Sequence, residues 1–175
     1  MDDLGSIDSI QDIADVGIAR WRRERPEIDT SGKQITARIL NLAESSMIAM
    51  NANLARFGVK YSVYAVIATL RGYGPPYQAT PTQLHNDLMI TSGGVSNLLR
   101  KVEEAGFIQR FTDPADGRGT IVRLTEEGFK LSETTMLAQA EMEGKLTDMF
   151  TLEEKVVFAK FLKRMLVMNG IKRTA

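Results

Sequence analysis

The stretch that decides the fold is TPTQLHNDLMITSGGVSNLLRKVEEAGFIQRFTDPADGRGTIVRLTEEG, residues 80–128. Its first part predicts a short helix, a tight turn and a second helix. Its second part predicts two short strands on either side of a charged loop that contains Gly. A helix-turn-helix followed directly by a β-hairpin is the sequence form of a winged helix, and a winged helix most often binds duplex DNA.

Both helices of this stretch carry start signals and one apolar face. Thr80 is a predicted N-cap, and Pro81 takes the first helical position, where its missing N–H is not needed. Thr91 or Ser92 can cap the second helix, and Gly106 ends it as a C′ residue. The predicted inward faces consist of apolar residues at helical spacing: Leu84, Leu88 and Met89 in the first helix, and Val95, Leu98 or Leu99, and Val102 in the second.

The outward face of the second helix carries small or hydrogen-bonding groups. A helix needs such groups if its backbone is to lie close to base edges in a major groove. The residues of this face are Ser92, Gly93, Ser96, Asn97, Arg100 and Lys101. A solvated face without a partner is the alternative interpretation, and the wing that follows in the sequence favours contact with bases or phosphates.

The predicted wing joins strands at 107–112 and 120–124 through the turn sequence DPADGRG at 113–119. An Arg at the tip of a wing can enter a narrow, electronegative minor groove, and Arg118 occupies that place. Asp116 can pair with Arg118 and fix its direction. Both are therefore predicted members of a DNA site.

Charge in this region is balanced, which argues mildly against DNA binding. Residues 78–125 contain five basic and five acidic side chains, and the formal net charge of the whole chain is +0. We expect weak non-specific attraction to phosphate, with binding that relies on placed contacts and on two half-sites. Lys101, Arg110 and Arg123 are expected either to contact phosphate or to form structural ion pairs.

The runs SNLLRKVEEAGFIQR and DPADGRGTIVRLTEEG together resemble the MarR family of bacterial transcriptional regulators. The family pattern is Asp-x-Arg in the wing, then a strand, Leu-Thr and a Gly three residues further on. The matching residues are Asp116, Arg118, Leu124, Thr125 and Gly128. The resemblance covers about 33–168. It implies a mostly α fold with a small β-hairpin wing, in which a winged helix-turn-helix domain hangs from a helical dimerisation region.

This resemblance and the helical periodicity divide the chain into three parts. Residues 1–32 are a predicted N-terminal extension, with a short helix over about 6–21. The helical dimerisation region takes 33–58 and 126–175, and the DNA-binding domain takes 59–125. Further predicted helices cover about 33–57, 61–71, 126–149 and a final segment opened by a capping box at Thr151. The final helix is apolar on more than one face, so it should pack against a partner chain.

The family resemblance also implies a ligand. Family members often hold a small aromatic or anionic molecule between the dimer helices and the winged helix, and this changes the spacing of the two DNA-reading helices. Phe57, Tyr61, Tyr64 and Tyr73 would lie near that junction, with core packing as the alternative for each. Trp21 either anchors the N-terminal extension on the dimer body or lines a ligand pocket.

Other classes of function find little support. The sequence has no Cys, no phosphate-binding Gly loop and no pairing of nucleophile and base, and His85 is the single His, so we expect neither an enzyme nor a bound metal or cofactor. No apolar run of ~18 residues predicts a membrane span. The acidic start of the chain is unlike a signal peptide, which favours the cytoplasm.

We therefore expect a cytoplasmic, homodimeric DNA-binding regulator, a repressor of a pseudo-palindromic operator that a small organic ligand releases. A winged-helix adaptor that binds other proteins is the alternative. An adaptor would show an apolar recognition face and no Arg in its wing.

Overall fold

The structure is a computed structural model that describes residues 9–88, 92–114, 117 and 119–171, without the side chain of Ser92. It divides into two compact units, one up to Ala49 and one from Met50 onward. This boundary falls inside a helix, and the domain limits expected from the sequence stay predictions. Among the described helices, none is both long and apolar enough to cross a membrane.

The described chain is mostly helical, with one small antiparallel sheet. Its elements are α1 (Ile13–Glu24), α2 (Ser31–Ala55), α3 (Tyr61–Gly72), β1 (Gln78–Ala79), α4 (Pro81–Leu88), α5 (Ser92–Glu104), β2 (Ile108–Thr112), β3 (Thr120–Leu124), α6 (Glu126–Lys145) and α7 (Leu152–Met168). This order confirms the predicted arrangement of helix-turn-helix, hairpin and long flanking helices.

The N-terminal helix begins later than the apolar periodicity predicted. Asp12 is the N-cap of α1, and its side chain accepts hydrogen bonds from the backbone N–H groups of Ala14 and Asp15 at 2.8 and 2.9 Å. Residues 9–12 are not helical, and Ile10 is exposed. The cap therefore fixes the start at Ile13, because an Asp that binds these N–H groups has non-helical backbone angles.

The core of the second unit lies between the helix-turn-helix and the sheet. Its fully buried apolar residues include Val66, Ile67, Leu70, Leu84, Val95, Leu99, Val102, Ile108 and Val122, and Leu88 and Leu98 pack partly buried against them. The predicted inward faces of α4 and α5 are thereby confirmed, except at Met89, which lies outside the described residues. Thr80 caps α4 as predicted, because its hydroxyl accepts a hydrogen bond from the Gln83 N–H at 3.2 Å.

The sheet has three strands in the order β1-β3-β2 rather than the two expected. Strand β1 pairs with the central strand through Gln78 opposite Arg123 and Ala79 opposite Val122. The sequence predicts only a connection into the winged helix at this segment. A strand of two residues is too short to show alternation, so the pattern of side chains could not reveal it.

The Thr and Gly of the family pattern join the wing to the helix-turn-helix. Gly106 ends α5 with φ +81°, a conformation that residues with a Cβ rarely adopt. The Thr125 hydroxyl donates to the Gly106 carbonyl at 2.7 Å and accepts from the Gly128 N–H at 3.0 Å. A Cβ at Gly128 would lie 2.1 Å from the Phe107 carbonyl oxygen, so only Gly allows this approach.

The two long C-terminal helices differ from prediction in one boundary. Helix α6 ends at Lys145 rather than near residue 149, and the Thr147 hydroxyl donates to the Glu143 carbonyl at 3.0 Å just beyond that end. The predicted capping box at Thr151 opens α7, and none of the residues of α7 is buried. Its exposed apolar residues include Leu152, Val156, Val157, Phe158, Phe161, Leu166, Val167 and Met168.

Candidate nucleic-acid interface

The outward face of α5 is exposed as predicted, and the packing of the helix fixes its direction. Val95, Leu99 and Val102 are buried on one side. The exposed residues on the other side are Gly93, Ser96, Asn97, Arg100 and Lys101. The Ser92 side chain and Thr91 lie outside the described residues. The result is a helix whose polar face is fixed in direction by the core beneath it.

Arg100 is held only loosely on this face. Its Nη1 lies 2.7 Å from Glu104 Oε1, one helical turn further along, and both side chains are more than half exposed. An exposed ion pair of this kind contributes little to stability, about 0.3–0.5 kcal/mol. Arg100 can therefore exchange its carboxylate for a phosphate or a base edge at little cost.

Arg110 is bound more firmly, in an ion pair that ties β2 to α5. Its Nε donates to Glu103 Oε2 at 2.7 Å, its Nη2 contacts the same oxygen, and its backbone N–H donates to Glu103 Oε1 at 3.2 Å. The pKa of Glu103 lies below its ordinary value, chiefly because the Arg110 side chain donates to it. Of the two roles expected for Arg110, the structure shows the ion pair, and a DNA contact stays a prediction.

Arg123 and Lys101, the other basic residues described in this region, differ in whether they already have a partner within the fold. Arg123 donates through Nε and Nη2 to Gln78 Oε1 at 2.9 and 2.6 Å, and its guanidinium lies 5.2 Å from the centre of the Phe111 ring. It therefore acts within the sheet. Lys101 makes no ion pair with any described residue, which leaves its ammonium available to a phosphate.

The tip of the wing carries two predicted DNA residues, Asp116 and Arg118, and both lie outside the described residues. What the structure describes is the stem below them. Strands β2 and β3 pair as far as Thr112 opposite Thr120, and the Asp113 N–H donates to the Gly119 carbonyl at 2.9 Å. The contact of Arg118 with a minor groove and its pairing with Asp116 stay predictions.

His85, to which the sequence assigns no functional role, lies beside this interface. A cavity of about 250 Å³ is lined by Pro81, Thr82, His85, Val95, Ser96, Leu99, Arg110 and Thr120. Within the described part of the chain, His85 Nδ1 is buried and has no hydrogen-bond partner. The signal in the sequence was its position four residues after Pro81, on the same face of α4. No described group of three His, Asp or Glu residues could hold a metal ion.

The predicted ligand residues of the second unit do not line one pocket. Phe57 lines a cavity of about 390 Å³ between the C-terminal end of α2 and α6. Tyr73 lines another of about 440 Å³, and its hydroxyl donates to Asp87 Oδ2 at 2.7 Å. The Tyr61 and Tyr64 rings contact each other, with centroids 5.9 Å apart. Because Tyr61 and Tyr73 lie at opposite ends of α3, roughly 18 Å separate them along the helix.

Trp21 belongs to the first unit, where its ring contacts the ammonium group of Lys33. The residue is 46% exposed, and Lys33 Nζ lies 4.0 Å from the centre of its ring. Burial raises the pKa of the Tyr64 hydroxyl. A ligand role for Trp21 and for the four aromatic residues of the second unit stays a prediction.

Comparison with known proteins agrees with this geometry. The MarR family model matches residues 61–120, which extend from α3 to the first residue of β3. Over 153 residues the chain is 28% identical to the HTH-type transcriptional regulator PecS of Dickeya dadantii, covering 87% of this chain and 92% of that protein. Residues 61–120 therefore match a MarR-family domain, and the chain as a whole is similar to a transcriptional regulator. The resemblance found in the sequence is thereby confirmed.

Solved structures show the same MarR fold. A MarR mutant from Escherichia coli complexed with operator DNA superposes with a TM-score of 0.68 at 21% identity, covering 83% of this chain and 97% of that one. The Staphylococcus aureus MepR–DNA complex gives a TM-score of 0.69 at 25% identity, covering 76% and 97%. These matches confirm the winged-helix fold. The named relatives are regulators rather than enzymes, which fits the expectation that this chain is not an enzyme.

Proposed function

We propose that this protein is a homodimeric repressor that binds a pseudo-palindromic operator in duplex DNA and leaves it when a small organic ligand binds. The observation that carries DNA binding is the polar face of α5, which the buried opposite face of the same helix directs outward. Two of the similar structures are complexes with DNA, which supports the same partner for this chain.

The chemistry of the α5 face fits the edges of base pairs. Asn97 carries an amide that can bind adenine through two hydrogen bonds, and Arg100 carries a guanidinium that can bind guanine in the same way. Gly93, at the start of the helix, lets the backbone come close to DNA, because a Cβ there would be the first atom to approach the groove. Lys101 would add a phosphate contact.

The homodimer follows from α7. A helix of 17 residues with no buried residue and a large exposed apolar surface is unfavourable in water, so we infer that a second copy covers it. An isologous contact between two copies has two-fold symmetry. Two α5 helices related by this symmetry would read inverted half-sites, which we expect about one turn of DNA apart, so the operator should be a palindrome.

Release by a ligand requires that the ligand bind one conformer more tightly than the other. The cavities beside Phe57 and Tyr73 are candidate sites, since both have the size of small-molecule pockets.

A repressor that works by occupying DNA must reside with the chromosome, which is the basis for proposing the cytoplasm. The adaptor alternative is not favoured, because the α5 face is polar rather than apolar.

Selection of binding sites from random duplex DNA tests the operator and the dimer together. We expect an inverted repeat with half-sites about 10 base pairs apart. Sedimentation of Phe161→Asp should show a monomer, and that variant should lose the repeat while folding normally, because Phe161 is exposed within one chain. Selection of an unrepeated site by a monomeric wild type would refute the proposal.

A further inference from the structure

Helix α1 carries a basic face that the proposed DNA reader does not use. The segment ARWRRERPE at 19–27 contains the arginines at 20, 22, 23 and 25. Arg22 Nε donates to Thr30 Oγ1 at 2.9 Å, and Arg25 pairs with Glu27. Arg20 and Arg23 are exposed, and neither makes a hydrogen bond or an ion pair with the residues that the structure describes. These two side chains form what we call the α1 basic face.

The α1 basic face stands on a firmly held helix. Arg38 of α2 donates to Asp12 Oδ2 and Asp15 Oδ1, both at 2.7 Å, and so joins the two helices. The pKa of Asp12 lies below its ordinary value because the Asp15 N–H and then Arg38 donate to its carboxylate. The apolar residues Ala14 and Ile18 are buried on the inner side of α1. At 100° per residue, Arg20 and Arg23 lie on the opposite side.

The winged helix itself has little positive charge to spare. Its basic and acidic residues balance, and two of the basic ones already have partners within the fold: Arg110 with Glu103 and Arg123 with Gln78. Attraction to a phosphate backbone depends on the number of phosphates that cationic side chains neutralise. The MarR-family domain alone therefore supplies few of these contacts, and further cations on the chain would add directly to affinity.

We propose that the α1 basic face is a second DNA-contacting surface, which binds phosphates without reading sequence. The proposal rests on the DNA binding proposed above. Residues three apart on a helix have Cβ atoms about 5–6 Å apart, so two arginines at this spacing can reach neighbouring phosphates of one strand. Arg23 lies in the last turn of α1, where the negative end of the helix dipole favours a cation. Arg20 lies one turn earlier, so the helix dipole does not account for a cation at that position.

The test is the salt dependence of DNA binding by the intact protein, measured by fluorescence anisotropy. Each phosphate contact contributes about 0.9 to the slope of log K against log salt. Arg20→Gln/Arg23→Gln should therefore flatten the slope by about 1.8 for each chain engaged, equally on operator and scrambled duplexes. Arg20→Lys/Arg23→Lys should keep the wild-type slope, because a phosphate contact requires charge rather than guanidinium geometry.

Lys160→Gln/Lys163→Gln is the matched control, since these exposed lysines of α7 have the same spacing and the same charge is removed. An unchanged slope in the control together with a flattened slope in the Arg20 and Arg23 variant would establish the surface. Equal flattening in both variants would overturn it, because net charge would then suffice. An unaltered slope in the arginine variant would overturn it too. If wild type fails to bind DNA at any salt, the proposed function itself fails, which is a distinct result.

Discussion

Helices α5 and α7 bury their apolar residues in different places, and this difference separates what one chain completes from what it leaves to a partner. In α5 the apolar residues meet the other helices and the sheet of the same unit, and Leu99 is 2% exposed. In α7 no residue is buried, and Leu152 is 81% exposed. An apolar stripe in a sequence predicts that a face will be covered, but the stripe does not say which chain covers it.

The sharpest way to test this contrast is to truncate one leucine in each helix. Leu99→Ala should lower the free energy of unfolding by about 2–5 kcal/mol, because it opens a cavity in a closed core. Leu166→Ala, at a residue 49% exposed in one chain, should act instead on the association of two chains. Denaturation at several protein concentrations distinguishes them, since only an effect on association varies with concentration. A loss of unfolding free energy in Leu99→Ala that varies with protein concentration would contradict this difference between α5 and α7.

A second test concerns the closure of the winged-helix domain on itself. Gly128→Ala should lower the free energy of unfolding by about 1–3 kcal/mol, because the new Cβ collides with the Phe107 carbonyl. Gly144→Ala is the control in the same helix, where no atom lies within 4 Å of the new Cβ. That substitution should be neutral or stabilise by about 0.4–1 kcal/mol. Similar thermal shifts in both variants would mean that the approach at Gly128 is not tight.

The smallest expected effect lies in the ion pair between α5 and β2. Because the folded pKa of Glu103 is lowered, its contribution to stability is present above its ordinary value of 4.5 and is lost as the pH falls through the folded pKa. Glu103→Gln should therefore cost less than about 1 kcal/mol near neutral pH and still less in acid. Urea denaturation across this range measures it. In an Arg110→Gln background the difference should shrink to the part that the backbone N–H of residue 110 supplies, and an undiminished difference would assign it to another partner.

The parts that the sequence predicted well are those governed by local rules. The inward face of α5, the end of that helix at Gly106 and the cap at Thr80 follow from helical spacing and from the backbone preferences of Gly and Thr. All three are present in the structure. Strand β1 depends on pairing with β3, which lies far along the chain, and the ion pair of Arg110 depends on how β2 packs against α5. No local sequence pattern predicts either contact.

The candidate site shows the same limit. The exposed face from Gly93 to Lys101 was predictable, because the buried face of α5 defines it. The aromatic residues predicted to form a ligand pocket were chosen by type and family resemblance. Phe57 and Tyr73 line separate cavities, because helix α3 lies between them in the chain and holds them apart along its length. Side-chain type indicates what a pocket needs, whereas only the fold determines which residues meet.

The affinity of Asn97→Ala for the selected operator tests most directly whether the polar face of α5 reads base pairs. Fluorescence anisotropy would compare it with wild type and with Asn41→Ala, an exposed asparagine of α2. We predict a loss of about 1–3 kcal/mol for Asn97→Ala, with relaxed preference at one base pair of each half-site and an unchanged affinity for scrambled DNA. The control should bind as wild type does. Wild-type affinity and wild-type base preference in Asn97→Ala would contradict the account.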